Sequence, residues 1–129
     1  MTILAMVRHG LTSWNENKLV QGRSDIPLSK EGRMQVGNWR VPDGIKDFSI
    51  ISSPLIRAKE TARILFGKSI PTDDRLVEMN WSEWEGKSLN ELRAKLGNLM
   101  EAWEAKGLDF RAPNGESPRE VQQRLRPFM

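Results

Sequence analysis

The chain has 129 residues, of which 38% are hydrophobic, and it carries a net charge of +3. It has no cysteine and no run near the roughly 18 apolar residues of a membrane span, which excludes disulfides, thiolate metal sites and membrane spanning. We expect one cytoplasmic domain over residues 1–129 that prefers anionic ligands, but not nucleic acid, because its Lys and Arg residues are scattered rather than clustered.

The first half of the chain predicts an alternation of strands and helices. Ile3–Val7 has no polar member and therefore predicts a strand that is buried on both faces. Ser29 is the expected N-cap of the first helix, and Pro54 and Gly67 are the expected start and end of the second. The predicted segments are strands at 3–7, 48–52 and 69–70 and helices at 29–40 and 54–67, with a polar loop at 10–28.

The second half predicts helices separated by ordered loops. Residues 71–87 combine acidic residues with two tryptophans and predict an ordered loop over the strand ends. Ser88 and Glu91 form a capping-box pattern, and after a loop at 107–115 Ser117 and Glu120 predict a last capped helix. The apolar residues of the helix after Ser88 are Leu89, Leu92, Leu96, Leu99 and Trp103. The alternation of strands and helices indicates an α/β fold with a mainly parallel sheet.

His9 is the only histidine of the chain, and it lies in Arg8-His9-Gly10 just beyond the first predicted strand. Ligand sites of open sheets gather beyond the strand ends, where an imidazole beside a guanidinium suits attack on phosphate. A neutral imidazole is a good nucleophile at neutral pH when its other nitrogen donates to a fixed acceptor. From this residue alone, the alternative is a structural histidine at a turn.

Several motifs together resemble the histidine phosphatase family, which is also called the phosphoglycerate-mutase-like family. They occur in the family's order and cover almost the whole chain. The motifs are Arg8-His9-Gly10 with Thr12, Trp14 and Asn15; Gln21-Gly22-Arg23 with Asp25, Pro27-Leu28 and Gly32; Ser52-Ser53-Pro54-Leu55-Ile56-Arg57-Ala58 with Thr61-Ala62; Glu78 with Trp84-Glu85-Gly86; and Gly115-Glu116-Ser117. The resemblance implies a three-layer α/β sandwich with a mainly parallel sheet, of which the C-terminal part is missing here.

The resemblance implies that His9 attacks phosphorus and forms a phosphohistidine, which water then hydrolyses. Arg8 and Arg57 match the family's two phosphate-binding arginines, and a planar guanidinium can bind two oxygens while staying protonated. The alternative for Arg57 is a solvated surface charge. The resemblance implies no cofactor and no metal, and the expected partner is a phosphorylated small molecule or inorganic phosphate.

Four further residues take roles from the same resemblance. Asn15, Gln21 and Gly22 match phosphate-binding positions, and the two amides are suitable donors, although Asn is also common in ordinary loops. Glu78 matches the acid/base position that protonates the leaving group and later deprotonates water. Two nearby carboxylates are expected to be structural or solvated instead: Glu83 and Glu85.

The sequence after Glu78 distinguishes two branches of the family. Trp84-Glu85-Gly86 looks like the phosphatase branches. The mutase branch usually places Arg-His-Tyr-Gly after its acid/base glutamate, whereas Met79-Asn80-Trp81-Ser82 follows here. This difference indicates a phosphatase rather than a phosphoglycerate mutase. Ser82 also stands where many relatives have glycine.

The family carries a second catalytic histidine on a later strand, and this chain ends at Met129 without it. We therefore expect a truncated form with weak or no activity, in which Ile3–Val7 is an exposed apolar edge. Three alternatives remain open: a non-catalytic phosphate-binding or regulatory module, a homo-oligomer formed through that first strand, and a phosphoglycerate mutase.

Overall fold

The computed structural model describes all residues from Met1 to Met129. Its regular elements are short helices joined by ordered loops. The α-helices are α1 (Ser13–Glu16), α2 (Lys30–Gly37), α3 (Ile56–Phe66), α4 (Leu89–Leu96), α5 (Asn98–Glu104) and α6 (Pro118–Leu125). Single 3-10 turns cover Asp43–Ile45, Asp74–Leu76, Ser82–Trp84 and Gly107–Asp109. None of the helices is long and apolar enough to cross a membrane.

The two helices predicted in the first half are confirmed, with small differences at their ends. Ser29 caps α2 by accepting the Gly32 N–H on its hydroxyl. The helix ends at Gly37 rather than near Arg40, because Asn38 turns its backbone N–H and its side-chain NH₂ onto the last carbonyls. α3 ends as predicted at Gly67, which adopts the left-handed conformation with φ +65°.

The helix predicted after Ser88 begins as expected but does not continue. Ser88 and Glu91 form the predicted capping box, with each backbone N–H bonded to the other side chain. The chain then turns at Gly97, where φ is +50° and ψ is −123°, and this turn divides the segment into α4 and α5. The prediction of one continuous apolar face is wrong, since Leu89 and Leu99 are 44% and 59% exposed.

The three predicted strands do not form as strands. The region around residues 48–52 and 69–70 is reduced to one parallel bridge between Ser52 and Thr72. Ile3–Val7, predicted to be buried on both faces, is exposed, and no backbone–backbone hydrogen bond involves residues 1–10. The prediction of a strand buried on both faces is wrong for this chain, whereas the expected exposure of this apolar segment is confirmed. A strand requires a hydrogen-bonded neighbour, and no other segment forms backbone hydrogen bonds with this one. The sheet of the predicted sandwich is therefore absent from these 129 residues.

Two regions of packing hold the loops in place. Trp84 lies at the centre of the larger one, with its ring centroid 5.5 Å from those of Trp103 and Phe110. The buried members of this cluster are Trp84, Leu92, Met100 and Ala112. The second region lies where α2 packs on α3, and it buries Val36 and Ala62. The ordered loop predicted at 71–87 connects the two regions, with a 3-10 turn near each end.

The segment 10–28, predicted to be a loop throughout, contains the helical turn α1. α1 begins after Thr12, which forms a capping box with Asn15. An antiparallel bridge between Thr12 and Leu28 closes the loop at its base, and a second bridge joins Leu19 to Ser88. These contacts fix the residues that follow His9.

Candidate active site

The backbone around His9 is held between α2 and α3. Gly10 is buried, and a Cβ atom at this position would lie 2.5 Å from Cγ2 of Val36, so α2 leaves room for glycine only. The Gly10 N–H donates to Oγ1 of Thr61 on α3 at 3.0 Å. Leu11 then accepts the Ser29 N–H at 2.9 Å. The imidazole therefore projects from a backbone that both helices fix.

The imidazole of His9 is half-buried and has a defined orientation. Its Nδ1 lies 2.7 Å from the carbonyl oxygen of Gly10. Since a carbonyl only accepts, this contact places the proton on Nδ1 and leaves the lone pair on Nε2. Burial lowers the pKa of His9, and the positive charges of Arg57 and Arg8 lower it further, against the opposing effects of the Gly10 carbonyl and Glu78. The neutral form, which is the nucleophilic one, is therefore favoured near neutral pH.

Arg57, in the first turn of α3, is the largest side chain that is fully buried, with an exposed fraction of 2%. Its Nη1 donates to the carbonyl of Ser24 at 3.0 Å and its Nη2 to the carbonyl of Gly22 at 2.7 Å. Burial lowers the pKa of this guanidinium, and the negative charge of Glu78 is the strongest opposing influence. Arg57 is therefore not a solvated surface charge.

Arg8 occupies a different environment from Arg57. It is exposed, and its guanidinium makes no hydrogen bond and no ion pair within the chain. Its charge nevertheless acts on the imidazole, since it lowers the pKa of His9. Arg8 and Arg57 thus both lie close enough to His9 to influence it, one anchored and one unpaired.

Thr12 orients the two amide side chains that the sequence singled out. It is fully buried, and its Oγ1 lies 2.6 Å from Oε1 of Gln21 and 3.0 Å from Oδ1 of Asn15. Its backbone N–H also donates to Oδ1 of Asn15 at 3.0 Å. Both amide oxygens therefore face Thr12, and the NH₂ groups of Asn15 and Gln21 donate to no group of the protein.

Thr12 was not among the site residues expected from the sequence. The sequence signal that could have identified it is the capping-box spacing from Thr12 to Asn15 at the start of a short helix. The capping-box spacing alone predicts only the start of a helix. It does not predict the additional hydrogen bond to Gln21, which lies nine residues away in the sequence.

Glu78 lies in the loop between the 3-10 turns Asp74–Leu76 and Ser82–Trp84, and its side chain is exposed. Its Oε1 accepts the N–H of the adjacent Met79 at 2.8 Å, and its backbone carbonyl accepts Nε of Arg23 at 3.4 Å. The carboxylate lies near enough to His9 and Arg57 for its charge to raise the pKa of both. The charges of Arg8, Arg57 and Glu78 therefore all influence the pKa of the imidazole.

The carboxylates that compete with Glu78 are engaged in structural contacts. Glu85 accepts the N–H of Ser24 at 2.6 Å, and so holds the loop whose carbonyls bind Arg57. Burial tends to raise the pKa of Glu85, but hydrogen bonds from the backbone of Ser24, Arg23 and Ser82 bring it below its ordinary value. Glu83 accepts Nδ2 of Asn114 at 3.0 Å on the surface. Neither carboxylate is directed at His9 by these contacts.

The sequence matches a known family along almost its whole length. Residues 4–129 match the model of the histidine phosphatase superfamily, branch 1. The chain belongs to the histidine phosphatase superfamily. Among curated proteins, it is 36% identical to a probable phosphoglycerate mutase, GpmB, from Erwinia tasmaniensis, over 94% of this chain and 58% of that protein. The Escherichia coli proteins of the same name are 35% identical, over 93% of this chain and 58% of theirs.

Solved structures of the superfamily share the fold. A mycobacterial glucosyl-3-phosphoglycerate phosphatase in complex with VO₃ superposes with a TM-score of 0.80 at 31% identity, covering 93% of this chain and 61% of that one. The TTHB049 protein of Thermus thermophilus superposes with a TM-score of 0.75 at 29% identity, covering 94% and 67%. The histidine phosphatase chain described here therefore has a phosphoglycerate-mutase-like α/β fold, and it spans 58% of the length of the curated relatives it matches.

Proposed function

We propose that this histidine phosphatase domain, residues 1–129, hydrolyses phosphomonoesters through a phosphohistidine at His9. The observation that carries the proposal is the imidazole itself, with Nδ1 held by the Gly10 carbonyl and Nε2 left to attack. Its lowered pKa supports the same role, since a protonated ring has no lone pair to offer. The mycobacterial relative that binds VO₃ and inorganic phosphate is a glucosyl-3-phosphoglycerate phosphatase, and it supports phosphate-ester chemistry here.

The proposed first step transfers the phosphoryl group to the protein. Nε2 of His9 attacks phosphorus, the phosphorus–oxygen bond to the alcohol breaks, and Glu78 gives its proton to the departing oxygen. Arg8 and Arg57 stabilise the negative charge on the equatorial oxygens. The NH₂ groups of two oriented amides, those of Asn15 and Gln21, donate to the same oxygens beside the backbone of Gly22.

The proposed second step returns the protein to its starting state. A water molecule attacks phosphorus, the nitrogen–phosphorus bond breaks, and Glu78 takes a proton from the water as it attacks. Inorganic phosphate leaves with the protonation of Glu78 restored, so the cycle consumes one ester and one water. No metal or organic cofactor takes part in this scheme.

We further propose that turnover by this chain is slow. The resemblance implies a second histidine as a donor to the transferred group, and His9 is the single histidine here. Loss of one preorganised donor raises a barrier by about 3–4 kcal/mol. The same observation favours a second candidate, a phosphate-binding module that binds the anion without turning over.

The test is phosphate release from simple esters and from 3-phosphoglycerate. We expect slow release of phosphate, which His9→Gln should abolish and Glu78→Gln should slow further. Glu101→Gln is the control and should leave the release unchanged, because Glu101 is exposed and makes no ion pair. Equal release by His9→Gln would overturn the proposal. Stabilisation by phosphate without release would favour the binding module, and conversion of 3-phosphoglycerate to its isomer without release would favour a mutase.

The last part of the proposal concerns the exposed segment that was predicted to be the first strand of the sandwich. We propose that Ile3–Val7 pairs with a strand of a second copy, because its apolar side chains and its backbone groups are both unpaired in this chain. Leu4→Lys should then lower the measured molecular mass in solution from dimer to monomer. Met34→Lys, at an apolar residue of similar exposure on α2, is the control. A wild-type chain that is monomeric at every concentration would contradict the pairing.

A further inference from the structure

The segment that carries Glu78 has no regular structure of its own. It connects the 3-10 turns Asp74–Leu76 and Ser82–Trp84, and the Glu78 carboxylate bonds only to the adjacent backbone N–H of Met79. An acid/base residue must nevertheless stay close to the leaving oxygen, so its backbone needs an anchor from elsewhere in the chain.

Arg124, at the end of α6, provides one anchor. Its guanidinium donates to the carbonyl of Val77 at 2.7 Å and also to the carbonyl of Arg75. The side chain is 20% exposed, so water competes only weakly for these bonds. One guanidinium thus holds two carbonyls shortly before Glu78, those of residues 75 and 77.

Glu116, just before α6, provides the second anchor. Its Oε2 accepts the N–H of Asn80 at 3.1 Å, and its own N–H donates to the carbonyl of Asn80 at 2.8 Å. Its Oε1 accepts Nε of Arg124 at 2.7 Å. Burial opposes ionisation, but the bonds from Arg124 and Asn80 bring the pKa of Glu116 below its ordinary value, so the pair stays charged at neutral pH.

Together the two side chains hold the backbone on both sides of Glu78. Arg124 binds residues 75 and 77, Glu116 binds residue 80, and the two are bonded to each other. Arg23 closes the arrangement, since it donates to the Glu78 carbonyl at 3.4 Å and pairs with Glu116 at 3.5 Å. We propose that the Arg124–Glu116 pair is a positioning device that sets the location of the Glu78 carboxylate relative to His9. This inference rests on the proposed function.

A positioning role has a consequence that a merely structural role lacks. Only esters with a poor leaving group need the proton of Glu78, whereas a dinitrophenolate departs without one. A displaced Glu78 therefore slows attack on alkyl phosphates and leaves attack on 2,4-dinitrophenyl phosphate nearly unchanged. A misplacement of about 1 Å can cost on the order of 100-fold, so a loss of about tenfold or more is expected on the alkyl ester.

The experiment measures leaving-group release in a single turnover, with protein in excess, for an alkyl phosphate and for 2,4-dinitrophenyl phosphate. Arg124→Gln and Glu116→Gln should each lose about tenfold or more on the alkyl ester and little on the activated one, as Glu78→Gln does. Arg119→Gln is the matched control, because Arg119 lies on the same helix and pairs with Asp109 on the surface. Arg124→Lys, which keeps the charge, should recover part of the loss.

Failure of the positioning role and failure of the proposed function give different results in this experiment. The positioning role would be overturned if Arg124→Gln and Glu116→Gln slowed release from both esters equally while Glu78→Gln slowed release from the alkyl ester alone. That result would leave the proposed function intact. No release from either ester by the unaltered chain would contradict the proposed function itself. If Arg124→Gln does not fold, Arg124→Lys and Glu116→Gln decide the question by the same ratio of the two esters.

Discussion

The stability of the folded chain should depend on the protonation of His9. Its pKa is lowered in the folded chain, whereas in the unfolded chain it titrates at about 6.5. As the pH falls from about 7 to 5.5, the unfolded state takes up a proton more readily, so the free energy of unfolding should fall in that interval. Urea unfolding at both pH values measures the loss.

The matched variant for that pH dependence is His9→Gln, which has no imidazole to titrate and should show a flatter profile over the same interval. Glu85 and Glu116 do not contribute in this interval. Their pKa values are lowered, so their stabilisation of the folded state is lost only as the pH falls below about 4.5. A pH profile of His9→Gln that is as steep as that of the unaltered chain would contradict the assignment.

Thr12 makes a second prediction at the scale of single residues. Thr12→Val keeps the shape but removes the hydroxyl that orients Asn15 and Gln21. We expect the free energy of unfolding to fall by about 1–2 kcal/mol, and the stabilisation of the protein by inorganic phosphate to decrease. Urea unfolding with and without phosphate measures both effects. Thr2→Val, at an exposed threonine without hydrogen bonds, should change neither.

The candidate site could be predicted from the sequence only as a set of residue types. The single histidine and its flanking arginine form a recognisable motif. A motif identifies the residues of a site but does not predict which groups they contact. The bonds from Arg57 to the carbonyls of Gly22 and Ser24 span 35 and 33 residues, and no local pattern encodes them. The contacts of Arg124 were missed for the same reason.

At the scale of elements, the helix starts were predictable because capping is local chemistry. Ser29, Ser88 and Ser117 each cap a helix through a bond to an N–H three residues later. The division between α4 and α5 was not predictable from spacing alone, since apolar residues continue at helical intervals across Gly97. The turn at that glycine is a feature of the packing, which buries Leu92 and Met100 in one cluster.

Two glycines at helix ends should respond in opposite directions to the same substitution. Gly67 ends α3 with φ +65°, so Gly67→Ala should lower the free energy of unfolding by about 1–2 kcal/mol. Gly37 is the last residue of α2 and does not have a positive φ, and an added Cβ would meet no atom within 4 Å. Gly37→Ala should therefore raise the free energy of unfolding by about 0.5–1 kcal/mol. Urea unfolding gives both values, and a change of the same sign in both would contradict the assigned conformations.

At the scale of the whole molecule, strand formation depends on neighbours that a local pattern cannot supply. Ile3–Val7 has the composition of a buried strand, yet it is exposed and no segment of this chain forms backbone hydrogen bonds with it. The family and the α/β class followed from the order of the motifs. The sheet did not form, because pairing is a property of two segments rather than of one.

The same reasoning predicts where the molecule opens. Residues 2–9 make no backbone–backbone hydrogen bond, so their amides should exchange with solvent as fast as in an unfolded chain. Amides within α3, which is packed on α2, should exchange far more slowly. Hydrogen exchange followed by mass spectrometry measures both. Slow exchange at residues 2–9 at low protein concentration, at which the chain is a monomer, would contradict the described fold.

The proposed transfer of a phosphoryl group to the imidazole of His9 is measured most directly by the mass of the protein after reaction with a phosphoryl donor. The chain is incubated with 2,4-dinitrophenyl phosphate, quenched in alkali to preserve phosphohistidine, and fragmented to locate the modification. We expect one added phosphoryl group, at His9, that acid removes and that His9→Gln lacks. A phosphoryl group at another residue, or release of phosphate by His9→Gln as fast as by the unaltered chain, would contradict the account.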